Sequence, residues 1–518
     1  MDRLFIFNMN PRPPSDRLTP VPTPEAKLAR LHASLAEVRK VIETSEFDPA
    51  ALLRLDRDLR GTRASVEGAL HPEHRLYNRD ATRLAHGVRK SSDFVEDMIA
   101  LDPTLSDRFM GETTGNPQVY GWDVPPLLRE MLRKEIEDPQ SFAYCHSFGD
   151  PKARELVCQM ARDLHPESTL HPDNVLFTNG VAHAIALLLE MVNPRLNLRL
   201  VQPNPTYPSF PAFETLLAED DPLFYKLDPE KEWNPDIDSL EQMINDNPNI
   251  FGILLIHPNN PTGGLYDENT LRKIVEVAER NKKMIICDEI YQQIILNGNE
   301  YVPITKVAHG RVPLAVIRGT SKDIPWPGAR SGWIEFHNTE LDQDYRKYVW
   351  SVKERMRAEV CATSLPQRTL GLYRTPEFAT WLEAYRSELQ GNVEHIASIL
   401  EPVKGIKVTR PKGAFYMFVT FDEGVLNDRQ SLPLDGVNAK GRDHLHAELS
   451  TPNLPLDKRF VLNLAGSGHN PVRVIAASDF SFEKPGFRTT ALERNPEKRD
   501  MKFRGIARGI EEYLDSAK

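Results

Sequence analysis

The chain has 518 residues, 40% of them hydrophobic and 27% charged, with a net charge of -10. A mildly acidic chain without a basic run gains nothing from a phosphate backbone, and no apolar run reaches the length of a membrane span, so neither nucleic acid nor a bilayer is an expected partner. The four cysteines, Cys145, Cys158, Cys287 and Cys361, form no C-x-x-C pair, which sets the expectations of no metal, no disulfide framework and a reducing, cytoplasmic compartment.

Residues 1–23 are rich in proline and polar residues. Their short apolar patch is too brief and wrongly flanked for a signal peptide. The stretches KLARLHASLAEVRKVI and PAALLRLDRDLRGTRASVEGAL repeat apolar residues at intervals of three and four. They predict amphipathic helices in an extension over residues 1–100 that carries no chemistry of its own. From about Asp173 the texture changes. Short apolar runs (DNVLFTNG, LRLVQPN, IFGILLIHPN, MIICDEI, PLAVIRGTSK) alternate with amphipathic helical stretches such as ENTLRKIVEVAERNKK. Runs of this length bounded by turn residues read as buried parallel strands, and the alternation reads as an α/β domain with helices on both faces. After about Val352 the pattern is helical, then mixed, and it ends in a helix at RGIARGIEEYLD, which suits a smaller α+β domain. Residues 423–458 are polar and read as a loop-like insertion.

The polar motifs fall at the carboxyl ends of the expected strands, where open α/β sheets bind ligands. TNGVAHAI, residues 178–185, passes from strand to helix through Gly180. There the N–H groups of Val181 and Ala182 and the helix dipole suit an anion. NPTYPSF, residues 204–210, offers Tyr207, which stacks on a flat ring or simply packs. HPNNPTGG, residues 257–264, contains Asn260 and reads equally as an ordinary turn. In CDEIY, residues 287–291, Asp288 ends an apolar run. It reads as a helix N-cap or as the counter-charge of a buried cation, for which a protonated ring nitrogen fits. Tyr291 follows within reach. In GTSKDIPWPGARSGW, residues 319–333, Lys322 is of the type that condenses with an aldehyde, Ser321 precedes it, and Arg330 offers a guanidinium fork for a phosphate. Taken singly, a lysine or arginine is a surface charge; the spacing of this pair is the unusual feature.

In this order the pieces resemble the pyridoxal-phosphate (PLP) dependent aminotransferases of fold type I, class I/II, over residues 105–518. YCHSFGDPKAR, HPNNPTG, DEIYQQI, GTSK with GARSGW, and the segment GNPQVYGWDVPP at 115–126 look most like the alanine aminotransferase branch. The resemblance implies an α/β fold with a mostly parallel seven-stranded sheet in a large domain, residues 151–350. A smaller α+β domain would be drawn from residues 101–150 and 351–518. It implies that Lys322 carries PLP as a Schiff base and moves the proton. Asp288 would pair with the ring nitrogen, Asn260 and Tyr291 would bond the phenolic oxygen, and Tyr207 would stack on the ring. Arg330 and the backbone around Gly180, Val181 and Ala182 would hold the phosphate, with Thr320 or Ser321. Tyr144 matches a tyrosine that reaches the neighbouring subunit's phosphate, so a homodimer is implied. Arg488, with Asn260, would grip the substrate carboxylate; Arg473 lies on a nearby strand-like run. Departures are Gly319 where serine is common, Val181 and Ala182 where hydroxyl residues are common, and Pro325 and Pro327 between Lys322 and Arg330. The implied reaction moves an amino group from an alanine-like L-amino acid to a 2-oxo acid. A lyase or decarboxylase uses the same constellation, and a non-catalytic binding module would have lost the lysine.

Overall fold

Apolar runs buried on both faces become strands because only a sheet covered by helices on each side can satisfy them. In the computed structural model, β1 is Val175–Thr178, β2 Arg199–Asn204, β3 Leu223–Asp228 and β4 Asn234–Pro235. They are followed by β5 Ile250–Ile256, β6 Met284–Asp288, β7 Leu314–Gly319 and β8 Gly332–His337. The structure describes residues 87–106, 110–111, 115–193, 196–217, 221–468 and 471–517, with five single helical positions nearer the N-terminus. The helices expected at 27–42 and 49–70 lie almost wholly outside the described residues.

The strands form one sheet in the order β1-β8-β7-β6-β5-β2-β3-β4. All run the same way except β8 and β4, which are antiparallel to their neighbours. The α/β class and the mostly parallel sheet hold. The strand count is eight rather than seven, because β4 is a two-residue edge pairing of Asn234 and Pro235 with Asp228 and Leu227. So short and polar a segment gives no apolar run to recognise.

Side chains alternate between the faces, as the period of a strand requires. Leu254, Ile256, Ile286 and Ile317 pack on one side with helices α1 (Pro151–Leu164) and α2 (Val181–Glu190). Ile253, Leu255, Ile285, Cys287 and Val316 pack on the other with α3 (Ile237–Asp246), α4 (Glu268–Arg280) and the short α5 (Ile304–Ala308). Helix α6 (Gln343–Arg357) joins the first face through Tyr345, Val349 and Val352.

A second, four-stranded antiparallel sheet follows, in the order β9-β10-β12-β11. Its strands are β9 Ile406–Thr409, β10 Tyr416–Phe421, β11 Ile475–Ala476 and β12 Gly486–Thr490. Its core gathers Leu389, Val393 and Ile396 of α7 (Pro376–Leu400), and Ile506, Ile510 and Tyr513 of the terminal helix. Within the stretch read as loop-like, Ala439–Leu449 is a helix, α8, which buries Gly441 and Leu445. Leu445 packs beside Phe94 and Met98 and beside Leu462 of α9 (Leu456–Gly466). The terminal helix, α10, spans Pro496–Asp515. Among the described residues, no helix is long and apolar enough to cross a membrane.

Candidate active site

The carboxyl ends of β1, β5, β6 and β7 meet the start of β8 at one edge of the large sheet. Thr178 and Gly319 both pair with Gly332, which fixes that edge. A cavity of about 540 Å³ opens there. Its walls include Val181, Ala182, Tyr207, Asn260, Asp288, Tyr291, Ser321, Lys322, Arg330 and Arg488. Ten of the sequence-predicted residues, scattered over more than three hundred positions, thus share one space.

The anion-binding half lies at the start of α2. Gly180 is its N-cap, with φ +84°, and no side chain caps the helix. A Cβ at Gly180 would stand 2.5 Å from Arg330 Nη2, so only glycine lets the guanidinium lie against this turn. Arg330 itself adopts a left-handed backbone, φ +48°, and its Nη1 donates to Pro327 O at 3.0 Å. The glycine at 319 also has a steric reason: a Cβ there would stand 2.8 Å from Ser331 O. The hydroxyls of Thr320 and Ser331, flanking Gly319 and Gly332, are buried without hydrogen-bond partners.

At the other end Asp288 closes β6. Burial pushes its carboxyl up to about 7; the Ile290 N–H, donating at 3.1 Å, and the nearby Lys322 pull it down only in part. A cation against this carboxylate would restore its charge. Lys322 Nζ donates to Gly115 O at 2.8 Å. Asn260 donates through Nδ2 to Tyr291 Oη at 3.4 Å and accepts from Arg488 Nη1 at 3.0 Å. Burial holds the Tyr291 hydroxyl well above its usual range, so it remains a donor. Arg488 comes from β12 of the small sheet and is 1% exposed. Its guanidinium lies over the rings of Tyr416 and Phe480, at 4.2 and 4.8 Å. Arg473 is elsewhere, its guanidinium 4.4 Å above the Phe94 ring.

Tyr144 stands outside this cavity and is 85% exposed. It borders a shallow depression with Phe142, Asn179 and Cys361. Tyr416, which the sequence reading missed, joins the site: its hydroxyl is 3.0 Å from that of Tyr291. A Cβ at Gly115 would collide with it. Within GAFYMFV, Tyr416 reads as one more core aromatic, and only the segment beginning at Gly115 carried a signal.

The site therefore offers an amine, a buried acid, a guanidinium beside a helix N-terminus and a second guanidinium across the cavity. Residues 115–433 match the family model for aminotransferase class I and II. An uncharacterized aminotransferase of Methanocaldococcus jannaschii is 32% identical over 404 residues, covering 78% of this chain and 91% of the relative. The glutamate-pyruvate aminotransferase of Escherichia coli K12 is 28% identical over 333 residues, 62% of this chain and 78% of that protein. The fold matches the solved structure of an alanine aminotransferase from Pyrococcus furiosus, with a TM-score of 0.70 at 23% identity over 83% of this chain and 98% of that one. The chain belongs to the class I and II aminotransferases, PLP-dependent enzymes that act on amino acids and 2-oxo acids.

Proposed function

We propose that the enzyme moves the amino group of a small L-amino acid with an uncharged side chain, alanine-like, to a 2-oxo acid. The observation that carries this reading is the count of cations at the cavity. Among the described residues lining it, Lys322, Arg330 and Arg488 are the only lysines and arginines. An aldehyde anchor, a phosphate and an α-carboxylate occupy all three, which leaves no cation of this chain at the cavity for an acidic substrate side chain. The residues fit PLP: the partner-poor acid Asp288 suits a ring cation, and the Gly180–Arg330 cradle suits a phosphate.

Bound there, the coenzyme supplies a ring that draws electrons from the substrate's Cα. Lys322 would provide the covalent anchor for its aldehyde, and its amine would serve as the base that removes and returns the Cα proton. Asp288 keeps the ring nitrogen protonated. Tyr291 and Asn260 donate to the phenolic oxygen, Tyr207 covers the ring, and Val181, Ala182 and Ser321 join Arg330 at the phosphate. Arg488, oriented by Asn260, takes the substrate's carboxylate in a fork. Tyr144, exposed on one protomer, serves the phosphate site of a second, so the working unit is a homodimer. The four cysteines are free thiols, and the proposed compartment is the cytoplasm, where thiols stay reduced.

A half-reaction screen tests this. Each L-amino acid is added to PLP-loaded protein while the visible band of the bound coenzyme and the released acid are followed. Alanine or a close analogue bleaches the band and yields the 2-oxo acid. Carbon dioxide or an eliminated group as the product would replace transamination with lyase or decarboxylase chemistry. Lys322→Ala abolishes the band and lowers turnover by about 10²–10⁴-fold or more; retention of the band sinks the anchor assignment.

A further inference from the structure

A second cluster lies at the opposite edge of the large sheet, where the parallel strands begin. His165 follows α1 as its C-cap, its N–H donating to Ala161 O at 2.9 Å. Glu167 lies two residues on. His309 is the C-cap of α5, just ahead of β7. The two imidazole rings meet edge to face with centroids 5.2 Å apart. One ligand atom from each of His165, Glu167 and His309 falls within 4.8 Å of the others. None of the three lines the catalytic cavity.

An independent observation points to a ligand. His165 is 7% exposed, and its Nε2 is buried without a hydrogen-bond partner. A buried polar atom left without a bond is costly and calls for a missing partner. A metal ion is a partner that an imidazole nitrogen can take without a donor or acceptor nearby.

We propose that His165, Glu167 and His309 form a zinc site that clips the end of α1 to the turn between α5 and β7. Two imidazoles and one carboxylate suit a borderline ion; calcium and magnesium favour all-oxygen sets. Three protein ligands leave a fourth position for water. Around a tetrahedral zinc the ligand atoms stand about 3.4 Å apart, given bonds of roughly 2.0–2.1 Å. With separations of no more than 4.8 Å, the cluster contracts by at most about 1.4 Å on binding. Glu167 is exposed and His309 is partly so, so both have room to rotate toward the buried His165. A cation that binds the folded chain alone stabilises it by mass action, while turnover is unaffected because no catalytic group is touched. Cysteine spacing gives no hint of such a site: its two histidines belong to different helix ends, far apart in the sequence.

The test uses full-length, PLP-loaded protein stripped with a chelator and dialysed. Zinc chloride is titrated against a chromophoric chelator, and thermal unfolding is recorded with and without zinc. The wild type takes up one tight zinc per chain and its Tm rises. In His309→Ala and Glu167→Gln that affinity falls by more than the roughly 10–100-fold that loss of an outer-shell partner causes. The zinc-dependent rise in Tm disappears in both. Intact coenzyme absorbance and turnover in both variants show that the fold survives. Zinc bound equally by wild type and both variants, or no zinc-dependent rise in the wild-type Tm, overturns the proposal, whatever becomes of the assigned reaction.

Discussion

In the proposed site, Asp288 would tie coenzyme binding to stability. An unfolded aspartate titrates at about 3.9, whereas burial pushes the folded carboxyl up to about 7 in the coenzyme-free chain. A raised folded pKa means that the folded protein holds the proton more tightly. The associated stability is full below pH ~4 and is lost as the pH rises through about 7. Asp288→Asn removes that titration. Coenzyme-free wild type should therefore lose Tm between pH 4 and 8 more steeply than the variant. If the PLP ring nitrogen meets this carboxylate as a cation, loading the coenzyme should flatten the wild-type profile. Turnover of Asp288→Asn should fall on the order of 10²-fold or more, the scale of losing one preorganised charge at a reacting centre. Matching pH slopes for wild type and variant, both without coenzyme, would rule out this reading of the acid.

At the scale of elements, β6, β7 and β8 are joined beneath the site by a charged network with almost no access to water. Arg318 of β7 donates to Glu289, just past β6, at 2.6 Å and to Glu335 of β8 at 3.0 Å. Trp333 Nε1 donates to Glu335 at 2.9 Å, and His337 approaches it at 3.1 Å. Arg318→Ala leaves two buried carboxylates uncompensated and should destabilise the chain by about 3–5 kcal/mol, measured by urea unfolding; a loss below about 1 kcal/mol would show that water reaches the network. Of the strands that carry this network, β6 and β7 were legible because burial on both faces writes an apolar run into the sequence, whereas in β8, GWIEFH, the buried Glu335 interrupts the run. The loops that follow them were legible because their glycines, prolines and charges interrupt those runs. What stayed hidden has physical reasons as well. β4 exists only through its pairing with β3. α8 buries just Gly441 and Leu445, too narrow a stripe to set a period. Tyr416 sits between Phe415 and Met417 on a fully buried strand, and its tie to Tyr291 spans 125 positions, a contact that local pattern does not encode.

For the whole molecule, the question is whether one chain makes a complete site. Phe142 is 76% and Tyr144 85% exposed, although both lie in a segment rich in family motifs and beside a depression shared with Asn179 and Cys361. In the proposed two-fold dimer these aromatics would face the other copy, the same patch on each meeting its partner. If Tyr144 donates to the phosphate in the neighbouring subunit, Tyr144→Phe removes a charge-assisted hydrogen bond. Losing one weakens coenzyme binding by about 10–100-fold. The sharper experiment mixes Tyr144→Phe chains with Lys322→Ala chains after reversible dissociation. In a hybrid dimer one site combines an intact Lys322 with an intact Tyr144 from across the interface, and the other site has lost both. Random 1:1 reassembly makes half the dimers hybrid, so at limiting coenzyme about a quarter of native activity should return. If Tyr144 acted within its own chain, every hybrid site would carry one of the two lesions, and activity would stay at the average of the two parents.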